Sequence, residues 1–93
     1  MYEPYSMLYK GKLILEKNKN NPKNPANSYA YHLINKAASY AIQDAYAEMI
    51  WMHCKGVGTF QSQNEAYYWL EKIKAIPNIS NATITSFEEC IKK

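Results

Sequence analysis

No stretch of this chain comes near the ~18 consecutive apolar residues of a membrane-crossing helix. None alternates with period two for long enough to make a strand. Only two cysteines occur, too few for a disulfide scaffold. Charge of one sign is scarce as well: 11 basic residues are interspersed with 8 acidic ones, for a formal net charge of +3. That excludes the clustered basic face of a nucleic-acid binder. The soft metal ligands are His32, His53, Cys54 and Cys90, with no Cys-x-x-Cys or His-x-x-x-His spacing among them. No Ser-His-Asp or Cys-His-Asn constellation is legible. The sequence therefore predicts no catalytic residue, no metal and no cofactor. Its N-terminus, "MYEPYSMLYKGK", carries an acid and a proline where a secretory leader needs a basic and then an apolar region. The expected compartment is the cytoplasm, or the periplasm if a leader has been removed.

What is present is aromatic surface and helical patterning. Nine tyrosines and two tryptophans occur in 93 residues, enough for one small domain that buries roughly two thirds of its unfolded surface. Residues 5–17 carry apolar side chains at 5, 8, 9, 13, 14 and 15 and read as a helix softened at Gly11. The segment "NKNNPKNPANS" is a loop. Ala30, Leu33, Ile34, Ala37, Ala38 and Ala41 form a helical stripe. Asp44 is a candidate cap for a third helix with Ala45, Met49, Met52 and His53 along one face, ended by Gly56 and Gly58. Ser62 and Glu65 form a capping box for a fourth, which Pro77 ends. A fifth places Ile84, Phe87 and Ile91 on one side. Asn78 and Asn81 lie in sequons that read more simply as turn and cap residues.

These helices repeat with a period of 36. The shift lays residues 30–36 over 66–72, Leu13-Ile14-Leu15 over Met49-Ile50-Trp51, Cys54 over Cys90 and Trp51 over Phe87. The pattern resembles the Sel-one-like repeat, a relative of the tetratricopeptide repeat, over about residues 5–76. The resemblance is carried by Asp44-Ala45, Met49, His53, Gly56-x-Gly58, Ala66, Trp69 and Lys72, and by Ala30, Leu33 and Lys36-Ala37-Ala38 in the unit before. Ile14 and Ile50 stand where the family favours glycine, which predicts wider helix pairs. Ala41 replaces the glycine between units, which predicts a tighter turn or a continued helix. The expected fold is all-α, a short α/α solenoid of one domain: repeat 1 over about 5–40, repeat 2 over about 44–76 and a capping helix over about 80–92.

The stretch "HCKGVGTF" looks like chemistry but fits the repeat better. His53 takes an aromatic position, and the two glycines let the next helix fold back. A phosphate loop needs a preceding strand and a following Lys-Ser/Thr, both missing here. Cys54 and Cys90, one repeat apart, should occupy equivalent places on helices whose axes lie ~8–10 Å apart. A disulfide needs Cα atoms within ~7 Å. Free thiols are expected, and a slight distortion of the repeat would reverse this. Glu88 and Glu89 read as a solvated face.

Trp51 stands well away from the buried stripe of its helix, beside Glu48 and Lys55. With its repeat counterparts Leu15 and Phe87 it forms a ladder along the line of A helices, the first helix of each repeat. In superhelical repeats these line a concave binding surface. Packing between adjacent repeats is the competing account. Leu15, Trp51, Phe87, Glu48, Lys55 and Tyr46 are the candidate partner-binding residues, with Tyr9, Tyr31 and Tyr67 as further amphipathic positions; Tyr31 and Tyr67, at equal places on the second helices of the repeats, fit the core equally well. The expectation is a non-enzymatic protein-binding module, monomeric or weakly dimeric. The resemblance implies a bacterial immunity protein that blocks a cognate toxin, or an adaptor linked to secretion. A fragment of a longer scaffold, or a ligand-binding enzyme domain using His53 and Cys54, is the alternative.

Overall fold

Glu3 starts the first helix: its carboxylate accepts from the backbone N–H groups of Tyr5 and Ser6, both at 2.9 Å, and Pro4 occupies a position that needs no donor. In the computed structural model, which describes residues 3–92, α1 spans Pro4–Lys17, α2 Ala26–Ser39, α3 Gln43–Lys55, α4 Gln63–Lys74 and α5 Asn81–Lys92. The described residues are helical with connecting turns and contain no strand. The all-α expectation holds, with five helices. The principal packings are α1 on α2, α2 on α3 and α3 on α4, with α5 lying against both α3 and α4.

The core runs through all five helices. Ile34, Met49, Ile50 and Leu70 are fully buried, and the repeat alanines Ala30, Ala37, Ala45 and Ala66 are wholly enclosed. Trp69 and Met52 are buried beside them. Leu33 departs from the expected stripe. It is half-buried and borders a cleft with Met7 and Tyr29 at the edge of the first hairpin.

The register of α1 also differs from the sequence reading. Its buried residues are Met7, Leu8 and Gly11, while Tyr5, Tyr9 and Leu13 are exposed. A Cβ on Gly11 would fall 2.6 Å from Ile34 Cγ1. Gly11 thus lets α2 approach closely, rather than softening the helix. The first hairpin connection is two residues longer than the second, measured from the helix caps Asn18 and Gly56 to the buried Ala30 and Ala66. Burial therefore relates α1 to α3 by 38 residues, with Met7 matching Ala45 and Gly11 matching Met49.

Turn chemistry follows the residues with a few corrections. Gly56 (φ 71°) and Gly58 (φ 75°) are both left-handed. The N–H groups of Gly56 and Val57 close onto the Met52 carbonyl. A Cβ at Gly58 would run into the Asn27 carbonyl oxygen. Ala41 neither tightens the turn nor continues α2: it takes the glycine conformation itself, at φ 64°. This lets Ile42 enter the core as the N-terminal flank of α3. Asp44 consequently sits inside the first turn and is not the cap. Only the serine half of the capping box forms, Ser62 Oγ accepting from Glu65 N–H at 3.2 Å. The Ser62 N–H donates to the His53 carbonyl at 3.0 Å, so Glu65 has no cap donor to reach back to. Asn78 is a left-handed turn residue at φ 67°, and Ser80 rather than Asn81 caps α5 through Ala82 N–H.

Candidate functional site

Three regions carry side chains that suggest function: the His53 pocket, the cysteine pair and the line of A helices. His53 is buried, with Nε2 3.0 Å from the Tyr31 hydroxyl and Nδ1 3.3 Å from the Phe60 carbonyl oxygen. Burial pushes the Tyr31 phenol above its ordinary value, so it stays protonated and can donate to Nε2. The two bonds fit a ring protonated on Nδ1. Tyr31 and Phe60 stand edge-on to the imidazole. Both nitrogens are thus engaged in joining α2, α3 and the turn between α3 and α4. Among the described residues no three His, Cys, Asp or Glu side chains gather.

The expectation of free thiols is overturned. Cys54 and Cys90 form a disulfide, with Cα atoms 6.0 Å apart. Their 36-residue spacing suggests equivalent places on successive helices. By burial, however, α5 relates to α3 by 38 residues: Phe87 and Ile91 take the places of Met49 and His53. Cys54 and Cys90 are therefore facing residues across the α3–α5 contact, where Cα atoms approach more closely than helix axes do. Trp51 and Phe87 face each other in the same way, with ring centroids 5.1 Å apart.

Along the A helices, three depressions succeed one another. The first, about 440 Å³, lies between α1 and α3 and is lined by Tyr9, Lys12, Leu13, Leu15, Glu16 and Glu48. The second, about 130 Å³, shares Leu15 and Glu48 with the first and adds Trp51, Met52, Lys55 and Val57. The third, about 440 Å³, shares Trp51 and Lys55 with the second and continues over the disulfide to Ser86 and Glu89 on α5. Together they form one shallow trough across α1, α3 and α5.

Four of the six expected binding residues meet there: Leu15, Glu48, Trp51 and Lys55. Trp51 is half-buried and serves both accounts of the ladder, packing against Phe87 with its ring tilted while also lining the trough. The Lys55 ammonium lies 5.3 Å from the Trp51 ring centroid. Phe87 is buried beneath Trp51 and offers no surface of its own. Tyr46 lies elsewhere, its ring 5.7 Å from that of Trp69, because its position on α3 faces α4. Tyr31 and Tyr67 are half-buried and pack against the core. Glu88 approaches Lys74 at 3.9 Å, whereas Glu89 borders the trough.

Glu48 is half-buried, and that burial holds its carboxyl above the usual range. Asp44 adds to the effect, while Lys12 and Lys55 oppose it. The sequence reading missed Lys12, Leu13, Glu16 and Val57. The signal that finds Leu13 is the longer first connection, which moves the α1 counterpart of Trp51 from Leu15 to Leu13. Comparison with models of protein families, with curated proteins and with solved structures gives no match for this chain.

Proposed function

We propose that this chain is a non-enzymatic protein-binding module, a short solenoid of the Sel-one-like kind whose α1–α3–α5 face receives one partner protein. The observation that carries the reading is the trough, which sets an aromatic anchor, Trp51, among aliphatic walls and charged groups. Aromatic residues in such settings dominate binding energy at protein interfaces. The engagement of His53 within the core and of both cysteines in a bond favours this over a ligand-binding enzyme domain.

Its most specific form is an immunity protein that blocks a cognate toxin, as the repeat resemblance implies; an adaptor in secretion is the neighbouring form. The disulfide argues for an oxidising compartment such as the periplasm rather than the cytoplasm, where thiols are kept reduced.

The test is recovery of the partner from the native host on immobilised protein, followed by measurement of its affinity. Trp51→Ala should weaken that partner by about 2 kcal/mol, roughly thirty-fold, while the fold is retained. Trp69→Ala, in the core, should destabilise the protein by about 3–5 kcal/mol instead. An immunity protein predicts further that the partner is toxic when expressed alone and silent when co-expressed. A partner that binds Trp51→Ala as tightly as the parent would contradict the trough as its site.

A further inference from the structure

We infer that the centre of the trough fits a peptide segment of another protein that carries one basic side chain between two acidic ones, the basic group seated on Glu48 and the acidic groups on Lys12 and Lys55. This rests on the protein-binding reading and specifies the partner's chemistry.

The order of charges is fixed by the depressions. Lys12 borders the first, Glu48 borders the first and second, and Lys55 borders the second and third. At the centre of the trough the sequence of signs is positive, negative, positive, with Glu89 a further acid in the third depression. None of these three belongs to an ion pair among the described residues, whereas Glu16 at the trough edge is matched by Lys19 at 3.2 Å. Lys12 and Lys55 act on Glu48 electrostatically, against burial and the Asp44 charge, without closing on it.

A half-buried carboxylate with no ion-pair contact is held at a cost in free energy. Covering the trough with an apolar segment would deepen that cost unless the segment brought a cation to the same place. Leu13, Leu15, Trp51 and Val57 supply walls that exclude water around such a pair, which strengthens it. An acidic segment would meet repulsion at Glu48, and a uniformly basic one would meet it at Lys12 and Lys55. The alternating pattern thus rejects partners of single sign as well as admitting the matching one. Nucleic acid and anionic lipid surfaces are disfavoured by the same central carboxylate.

The test uses a random-peptide display library panned on the disulfide-intact protein, with Trp51→Ala protein used to remove peptides that bind elsewhere. Enriched peptides should carry Lys or Arg with acidic neighbours. They should bind Glu48→Gln about ten-fold more weakly, as expected when one member of a close interfacial charge pair is removed. A Glu48→Lys target should select peptides with an acid in place of the base. Trp51-dependent peptides that lack a basic residue, or that bind Glu48→Gln equally well, would overturn the charge pattern and leave the protein-binding reading standing. A library yielding no Trp51-dependent peptide would overturn both. Sedimentation showing a dimer that Glu48→Gln dissociates would assign the trough to a second copy of this chain and likewise overturn the inference.

Discussion

Replacing Cys54 and Cys90 by serine removes a bond between residues 36 apart in the chain. The effect falls chiefly on the unfolded state, which gains the freedom of an open loop. The chain-entropy relation puts the loss at about 4 kcal/mol for a loop of this length. A domain of this size is stable by roughly 5–14 kcal/mol, so the change takes a large share of the whole. In thermal unfolding followed by circular dichroism, each kcal/mol shifts the midpoint of so small a domain by roughly 4–8 °C. The double variant should therefore melt roughly 15–30 °C below the parent. Either single replacement should lose about as much as the pair, because one bond serves both residues. Thiol titration of the unreduced, denatured parent should find no free thiol. Two free thiols in that titration, or a double variant melting within a few degrees of the parent, would refute the pairing of Cys54 with Cys90 and the register assigned to α5.

Three further outcomes follow from single positions. Ala41→Gly should raise stability by about 1 kcal/mol in urea unfolding, because it relieves a left-handed alanine; a loss would mean that the inter-repeat turn is built differently. Gly58→Ala should cost clearly more than Gly56→Ala, since both are left-handed but only at Gly58 would the new Cβ strike the Asn27 carbonyl and lie 2.8 Å from Met52 Cε; equal losses would contradict that close approach. Glu48→Gln should raise the melting temperature at neutral pH. The folded carboxyl binds its proton more tightly than the unfolded one, so the parent loses stability as pH rises through that window and the neutral glutamine does not. The gain should vanish near about pH 3, where both forms are uncharged, and a gain that persists there would have another origin.

Much of the fold was legible because the sequence states it locally. The stripe from Ala30 to Ala38, the serine at position 62 and the glycines at 56 and 58 each mark a helix face, a start or a stop by its own chemistry. What was not legible depended on a count across a loop. An asparagine-rich connection two residues longer than its counterpart leaves the 36-residue match intact on α2 and α4 and breaks it on α1. This is why Leu13, laid over the core residue Met49 by the 36-residue shift, is 50% exposed. The same arithmetic concealed the disulfide, since equal spacing suggested equivalent cysteines rather than facing ones. The Ala41 turn is illegible for a different reason: burial of Ile42 compensates a backbone conformation that alanine disfavours, and propensity alone does not report that exchange. Their angle on α3 puts Glu48 and Trp51 on the trough face, whereas Tyr46, on the same helix, packs toward Trp69 on α4.

Hydroxyl-radical footprinting of the complex with the recovered partner addresses the proposed face directly. Oxidation of Leu13, Leu15 and Trp51 should fall on binding, while Tyr29 on α2, Tyr40 at its C-terminal cap and Tyr68 on α4, all exposed, should be oxidised as in the free protein. Protection of Tyr29, Tyr40 and Tyr68 with Trp51 unchanged would contradict the account and move the interface to the opposite helices.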